Sequence, residues 1–557
     1  MKRREFLARA MSAAAASWFA REAFAQSPRE TMHGMQAMPG MSPAPAAAMP
    51  AQAPLAAVDA LPAEAPLAAL RTLANESREP GRFRATLVAQ PVARALLAGA
   101  APTTFWQYDA AAGPGDTSGP VIGPMIDVRE GDTVEITFAN RLAQPSTIHW
   151  HGLPVPPDQD GNPSNMVAPG EQRVYRFTLP AGSAGTYWYH PHPHMLSAEQ
   201  VFRGLAGPIV VRAADDPLAA WSERHLFVSD LKLAADGTIP ANSMMDWMNG
   251  REGQFVLLNG AREPLIEVAG DERWRVWNGC NARYLQLAFD DGRAFAQVGT
   301  DGGLLGAPRE NITSLLLAPG ERAELIVRAQ PAGAPASQVS LVAAQYDRRK
   351  MAMSHGSLPA TPTQKLATVR FARTTEAMND ASGASGAKAE PLALPLRLRT
   401  IAPLVSTAQT TADAPAKTAR KTVVFSEAMD MHAMHQPGAS ALPMPRGMQF
   451  MVNGATFDPA RVTFASRRGE VERWAIENRT DMDHPFHLHG TQFQVLAREE
   501  GGSVSEEPLL AWRDTVNVRP GETVHIATVQ RDAGERMFHC HILEHEDLGM
   551  MGIVRVT

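Results

Sequence analysis

A twelve-residue stretch near the C-terminal end, His539 to Met550, constrains this chain more than any other. It reads His-Cys-His-Ile-Leu-Glu-His-Glu-Asp-Leu-Gly-Met. Cys540, His545 and Met550 offer a thiolate, an imidazole and a thioether, three of the four donors of a blue-copper site, which is trigonal His₂Cys with a weak axial Met. On a strand, successive side chains point to opposite faces. Cys540 would then face one metal while His539 and His541 face another. A fold that honours this must bring further histidines to both sides.

Three more clusters can supply them: His149-Trp150-His151-Gly152, His190-Pro191-His192, and His484-Pro485-Phe486-His487-Leu488-His489. With His539, His541 and His545 they account for ten of the seventeen histidines. A lone histidine is most often a hydrogen-bonded structural residue. Repeated His-x-His spacing places pairs of rings on one strand face, which structural histidines do not require and metal ligation does.

These four motifs, in this order, resemble those of the multicopper oxidases, the family of laccases, bilirubin oxidases and bacterial copper-efflux oxidases, over the chain from about residue 80 to its end. The resemblance implies four copper ions. His484, Cys540 and His545, with axial Met550, would hold the type 1 copper. His149 and His487 would hold the type 2 copper. His151, His190, His192, His489, His539 and His541 would hold the type 3 pair. Met551 offers a second thioether, and spacing favours Met550. Asp160 and Glu546 match acids that assist proton delivery in bacterial members; read alone, they are a turn residue before Gly161 and a loop charge. His194 is expected in a turn or a supporting role. The fold implied is all-β, three cupredoxin-like Greek-key β-sandwich domains with the trinuclear cluster between the first and third.

The organisation of the chain agrees with three units. A glycine-acid step leading into a strand and an Asn occurs at Gly131-Asp132 to Asn140, Gly270-Asp271 to Asn278, and Gly469-Glu470 to Asn478. A Pro-Gly-Glu turn recurs at Pro169, Pro319 and Pro520. Short alternating strands between such turns read as β-sandwiches. Boundaries fall at 81–216, 217–373 and 421–557, with an exposed Ala/Thr/Ser-rich linker over 374–420. The middle unit holds only His225 and His355, neither in a cluster, and reads as a spacer or wall.

Residues 1–25 read as an export signal: Arg3-Arg4-Glu5-Phe6-Leu7 resembles the twin-arginine signature, and Ala23-Phe24-Ala25 offers a cleavage site. The expected location is the periplasm. Residues 26–80 read from composition as a disordered leader, with Met32, Met35, Met38 and Met41 as a candidate copper-capture stripe. No later segment is apolar for long enough to span a membrane.

A net charge of −6 gives no basic footprint for nucleic acid. Two cysteines make no disulfide framework; Cys280 reads as a small buried thiol. A monomer using dioxygen is expected. For the electron donor, Met429, Met431, Met434, Met444, Met448 and Met451 form a Met-rich stretch with Glu427, Asp430, His432 and His435 among them. Met448 and Met451 suit a strand core. Met482 matches a substrate-copper position of the copper-efflux oxidases; Asp481 and Asp483 flank it, whereas the family's acid lies one position earlier, where this chain has Thr480. Thioethers suit Cu(I), so Met429, Met431, Met434, Met482 and Asp481 are candidate contacts for Cu(I) as substrate in copper tolerance. The alternative is a laccase-like oxidase of phenols and aromatic amines.

Overall fold

The repeated Asn and the repeated Pro-Gly-Glu turn meet each other three times. Asn140, Asn278 and Asn478 are all buried. Each accepts, through its backbone carbonyl, the N–H of a turn glycine: Gly170 at 2.8 Å, Gly320 at 3.0 Å and Gly521 at 2.9 Å. All three glycines have positive φ, which the absence of a Cβ makes inexpensive. Each Asn side chain then donates to two carbonyls of the adjoining loops. For Asn478 these are Met482 and Val518; for Asn278, Arg283 and Leu317; for Asn140, Gln144 and Val167. One buried amide thus closes the same corner in each unit.

The computed structural model describes residues 53–110, 119–331, 333–352, 356–373, 392–405, 420–430, 433 and 444–557. The described strands form three pairs of sheets around three main cores, and one small two-stranded sheet, Met351–Ala352 with Gly356–Ser357. The first pair has four and three strands, with Arg82–Arg94 and Thr133–Asn140 parallel at the centre of the larger sheet. The middle pair has seven and five, with Ser222–Leu231 parallel to Glu272–Asn278. The third has six and five, with Lys421–Met429 parallel to Val471–Asn478. Alternating strands bury one face of each sheet: Ile136 and Phe138 in the first core, Val276 and Leu325 in the middle, Trp474 and Ile476 in the third. The two cysteines are free and buried, and no described helix is long and apolar enough to cross a membrane.

Two stretches depart from the reading of their composition. Residues 53–80 are not a disordered leader. Ala56 N–H bonds Leu233 O at 2.9 Å, Leu67 N–H bonds Leu265 O at 2.9 Å and Leu73 N–H bonds Met125 O at 2.8 Å, so the segment runs across the middle sandwich onto the first. Ala56, Leu61 and Leu73 are buried along it. A few well-spaced apolar residues and borrowed backbone partners suffice where other elements supply the surface. Similarly, residues 392–405 are not simply exposed linker. Leu398 is buried, its N–H bonds Gly306 O at 3.0 Å, and Gln494 holds both Leu404 N and Ala402 O. The export signal, the Met32–Met41 stripe, Met431 and Met434 lie outside the described residues.

Candidate metal centre

Alternation along two neighbouring strands builds both halves of the site. His484–Leu488 pairs antiparallel with Gly534–Cys540, placing Phe486 opposite Cys540 and His487 opposite His539. With a side-chain period of two, Phe486, Leu488, Phe538 and Cys540 turn into the core of the third sandwich. His487 and His539 turn the other way, and His489 and His541 continue that face beyond the strand ends.

On the core side, His484 Nδ1 lies 3.2 Å from Cys540 Sγ and 3.3 Å from His545 Nδ1, which is 3.9 Å from the sulfur. The outer nitrogens are engaged: His484 Nε2 is 2.8 Å from Thr480 Oγ1, and His545 Nε2 is 3.2 Å from the Met248 carbonyl oxygen. The short helix Leu543–Asp547 carries His545, and Met550 N–H bonds His545 O at 2.9 Å, returning a fully buried thioether to the same core. Burial pushes His484 down to about 3 and pushes the Cys540 thiol well up. The imidazoles are therefore neutral, as ligands must be, and metal loading displaces the thiol proton.

On the other side eight rings converge, all without solvent exposure. His149 and His190 sit in a two-way backbone bridge, 2.8 and 3.2 Å, which joins the two motifs of the first sandwich. Three sets form. His192 and His489 bring Nε2 atoms within 3.2 and 3.0 Å of His539 Nε2. His151 Nδ1 is 3.2 Å from His541 Nε2, with His190 completing that group. His149 Nε2 and His487 Nε2 are 3.4 Å apart.

The donor chemistry fits a cation. His149, His190, His487 and His539 direct Nδ1 at the carbonyl oxygens of Asp160, Pro191, Asp514 and Cys540, at 2.9 to 3.0 Å. Their N–H groups are spent outward, so bare lone pairs face one another. Among the described residues, His190 Nε2 has no hydrogen-bond partner. Lone pairs packed this closely in a buried site call for a positive ion between them, and imidazole suits copper. His484, Cys540 and His545, with buried Met550, provide the softer set.

Asp160 lies behind two rings, with Oδ2 3.1 Å from His489 Nδ1. Glu546 Oε1 is 3.5 Å from His192 Nε2 and Oε2 is 3.3 Å from His539 Nδ1. Burial first, then the neighbouring Asp547, raises the Glu546 carboxyl well above its ordinary range. His194 stands apart, its ring 5.0 Å from that of Phe457.

A recess of about 480 Å³ opens beside the Cys540 site, lined in part by Met248, Met351, Met429, Asp481 and Lys350. Met429 and Asp481 are where the sequence places a donor site. Met482 is not on this wall: it is wholly buried, its carbonyl held by Asn478. Met248 and Met351 come from the middle sandwich, tied together by Asn249, which accepts from Met351 N–H at 2.6 Å. Sequence reading missed them because that unit has no histidine cluster, although Met244-Met245-Asp246-Trp247-Met248 is a visible Met-rich run. Asp514, from the third unit, and Arg322, from the middle one, were also missed. Neither stands near a histidine in the chain.

Models of multicopper oxidase domains match residues 116–216 and 410–557. A multicopper oxidase of Staphylococcus aureus is 30% identical over 450 residues, covering 79% of this chain and 83% of the relative. A solved structure from Campylobacter jejuni, described as a multicopper oxidase and metallo-oxidase, superposes with a TM-score of 0.77 at 38% identity, covering 91% of this chain and 98% of that one. Cell division protein FtsP of Xenorhabdus nematophila is 28% identical, covering 78% of this chain and 83% of the relative. The fold and the converging ligand sets define a cupredoxin-like copper protein. The chain belongs to the multicopper oxidase family.

Proposed function

We propose that this protein is an oxidase that takes electrons singly at the Cys540 site, passes them to dioxygen at the eight-histidine site, and uses Cu(I) as its preferred donor. When copper is bound, the first site accepts and releases single electrons and the second supplies the four-electron reduction of dioxygen to two waters. The resemblance distributes the ions as one type 1, one type 2 and two type 3.

The protein's own groups join the two sites. Cys540 and His539 are consecutive, and His539 Nδ1 donates to the Cys540 carbonyl oxygen at 2.9 Å. A path of covalent bonds and one hydrogen bond therefore links thiolate to cluster. His484 and His545 are as buried as the eight rings, but the Met248 carbonyl that meets His545 Nε2 belongs to a residue lining the recess, so a donor would approach on that side. Glu546, set beside His192 and His539 with a carboxyl that burial raises, would deliver protons to oxygen at the cluster, and Asp160 would do so on the His149 and His489 side; positioned acids of this kind relay protons.

The observation that carries the Cu(I) reading is the recess. Its wall brings Met248, Met351 and Met429 together with the acids Asp347 and Asp481, alongside Arg349 and Lys350, and the Met248 carbonyl oxygen is 3.2 Å from His545 Nε2. Soft sulfur beside an acid favours a monovalent copper ion over a neutral phenol. The relative described as a metallo-oxidase supports the same reading, while the FtsP name concerns a protein whose role is its own. The twin-arginine-like Arg3-Arg4 supports export to the periplasm, where Cu(I) oxidation would serve copper tolerance. Side-by-side steady-state rates with Cu(I) and a dimethoxyphenol test the choice. Cu(I) turnover should saturate at the lower concentration, and Met351→Ser or Met429→Ser should raise KM for Cu(I) alone. Faster phenol turnover, with both variants silent, favours the laccase-like alternative.

A further inference from the structure

Among the described residues the middle sandwich contributes none of the grouped ligands, yet one of its turns touches the histidine cluster. That turn is the second copy of the repeated Pro-Gly-Glu motif. A Cβ at Gly320 would lie 3.0 Å from the His541 ring, so only glycine lets the turn come this close. Two residues on, Arg322 crosses to the third sandwich. Its Nη1 donates to Asp514 Oδ1 at 2.8 Å and its Nη2 to Asp514 Oδ2 at 2.6 Å, a bidentate pair with neither side chain exposed. The remaining donors are committed as well: Nε to Thr186 O of the first sandwich at 2.9 Å, Nη1 to Gly320 O at 2.9 Å, and Nη2 to Asp301 O at 3.1 Å. One guanidinium binds groups from all three units.

Asp514 passes this on to the ligands. Its Oδ1 is 3.0 Å from His151 Nε2, and its backbone oxygen is 2.9 Å from His487 Nδ1. His151 is unusual in the cluster, because the nitrogen turned toward its group is Nδ1 rather than Nε2. That orientation needs Nε2 to carry the proton, and the Asp514 carboxylate is the nearer acceptor for it, with Thr515 Oγ1 3.2 Å away. A partner on the far nitrogen fixes both tautomer and ring plane of a ligating histidine. A planar, permanently charged guanidinium holds a carboxylate in one plane, which a lysine ammonium does not.

We propose that Arg322 is a positioning residue for the trinuclear site. By clamping Asp514 it sets the Nε2–H tautomer of His151 and the tilt of His487, so the unit without ligands governs copper binding at the cluster. This rests on the assignment of the eight histidines to copper.

The test compares copper-loaded wild type with Arg322→Lys, Asp514→Asn and the charge-neutral pair Arg322→Met/Asp514→Asn. Copper content, the blue thiolate band and the type 2 electron paramagnetic resonance signal are read for each. The expected result is a normal blue band with the type 2 hyperfine pattern changed or lost, and copper affinity at the cluster lowered by about 10- to 100-fold. Asp514→Asn should be as damaging as Arg322→Lys, and the double variant no worse than Asp514→Asn alone. Unchanged copper content and type 2 signal in both single variants would overturn the proposal. So would equal loss of the blue band and the cluster, or failure of all the variants to fold, since either makes Arg322 a general brace. A wild-type protein without cluster copper would instead remove the copper assignment itself.

Discussion

Cys540 is the residue on which both halves of the site depend. Its sulfur faces His484 and His545, and its carbonyl oxygen holds His539. Cys540→Ser keeps the backbone contact and replaces a soft donor by a hard one. The blue band and turnover should vanish while copper at the eight histidines is partly retained; a variant that stays blue would refute the assignment. Glu546→Gln and Asp160→Asn keep shape and remove an acid. Oxygen reduction should slow by about 10²-fold, with copper content near normal. An amide variant at full rate would make that residue structural. The ligands were legible in the chain because alternation forces His-x-His and His-Cys-His to serve two faces of a strand. Asp514 and Arg322 were not legible. Each has its effect through a contact that only tertiary packing creates, 192 positions apart in the chain.

At the scale of elements, the repeated corners were readable because both parts recur in each unit, a buried Asn and a Pro-Gly-Glu turn, although the two lie 30, 42 and 43 positions apart and only the fold shows that they bond. The recess was readable only in half. Lys421–Met429 contributes Met429, but Met248 and Met351 arrive on a short helix and strand of another unit. The same strand carries Glu427, mostly buried, which accepts a hydrogen bond from the Asp481 backbone. Burial, and then the Asp481 charge, lifts its carboxyl to about 7. Below that pH Glu427 is neutral; above it a further negative charge stands beside the recess, whose wall already holds Asp347 and Asp481 with Arg349 and Lys350. KM for Cu(I) should therefore fall as pH rises through about 7, while KM for a neutral phenol stays level. Glu427→Gln should abolish the trend. Identical pH profiles for the two donors, or a trend that survives in Glu427→Gln, would separate Glu427 from donor binding.

Across the whole molecule, the first and third sandwiches supply histidines from opposite sides, and the middle one closes the gap with Gly320 and Arg322. Composition concealed how much of the chain takes part in this. Residues 53–80 and 392–405 are rich in small and proline residues and read as unstructured, yet they borrow strand edges and bury Leu61, Leu73 and Leu398. Such segments acquire structure from their surroundings rather than from their own periodicity, so no local pattern marks them. All of this framework converges on two groups of inward-facing nitrogens and one sulfur. The direct test is anomalous X-ray scattering at the copper absorption edge from crystals of the copper-loaded protein. One peak should stand among His484, Cys540 and His545, and three should stand among the eight histidines, bounded by His149 and His487, by His151, His190 and His541, and by His192, His489 and His539. An absence of copper scattering among the eight histidines, with the protein fully loaded, would contradict the proposed function.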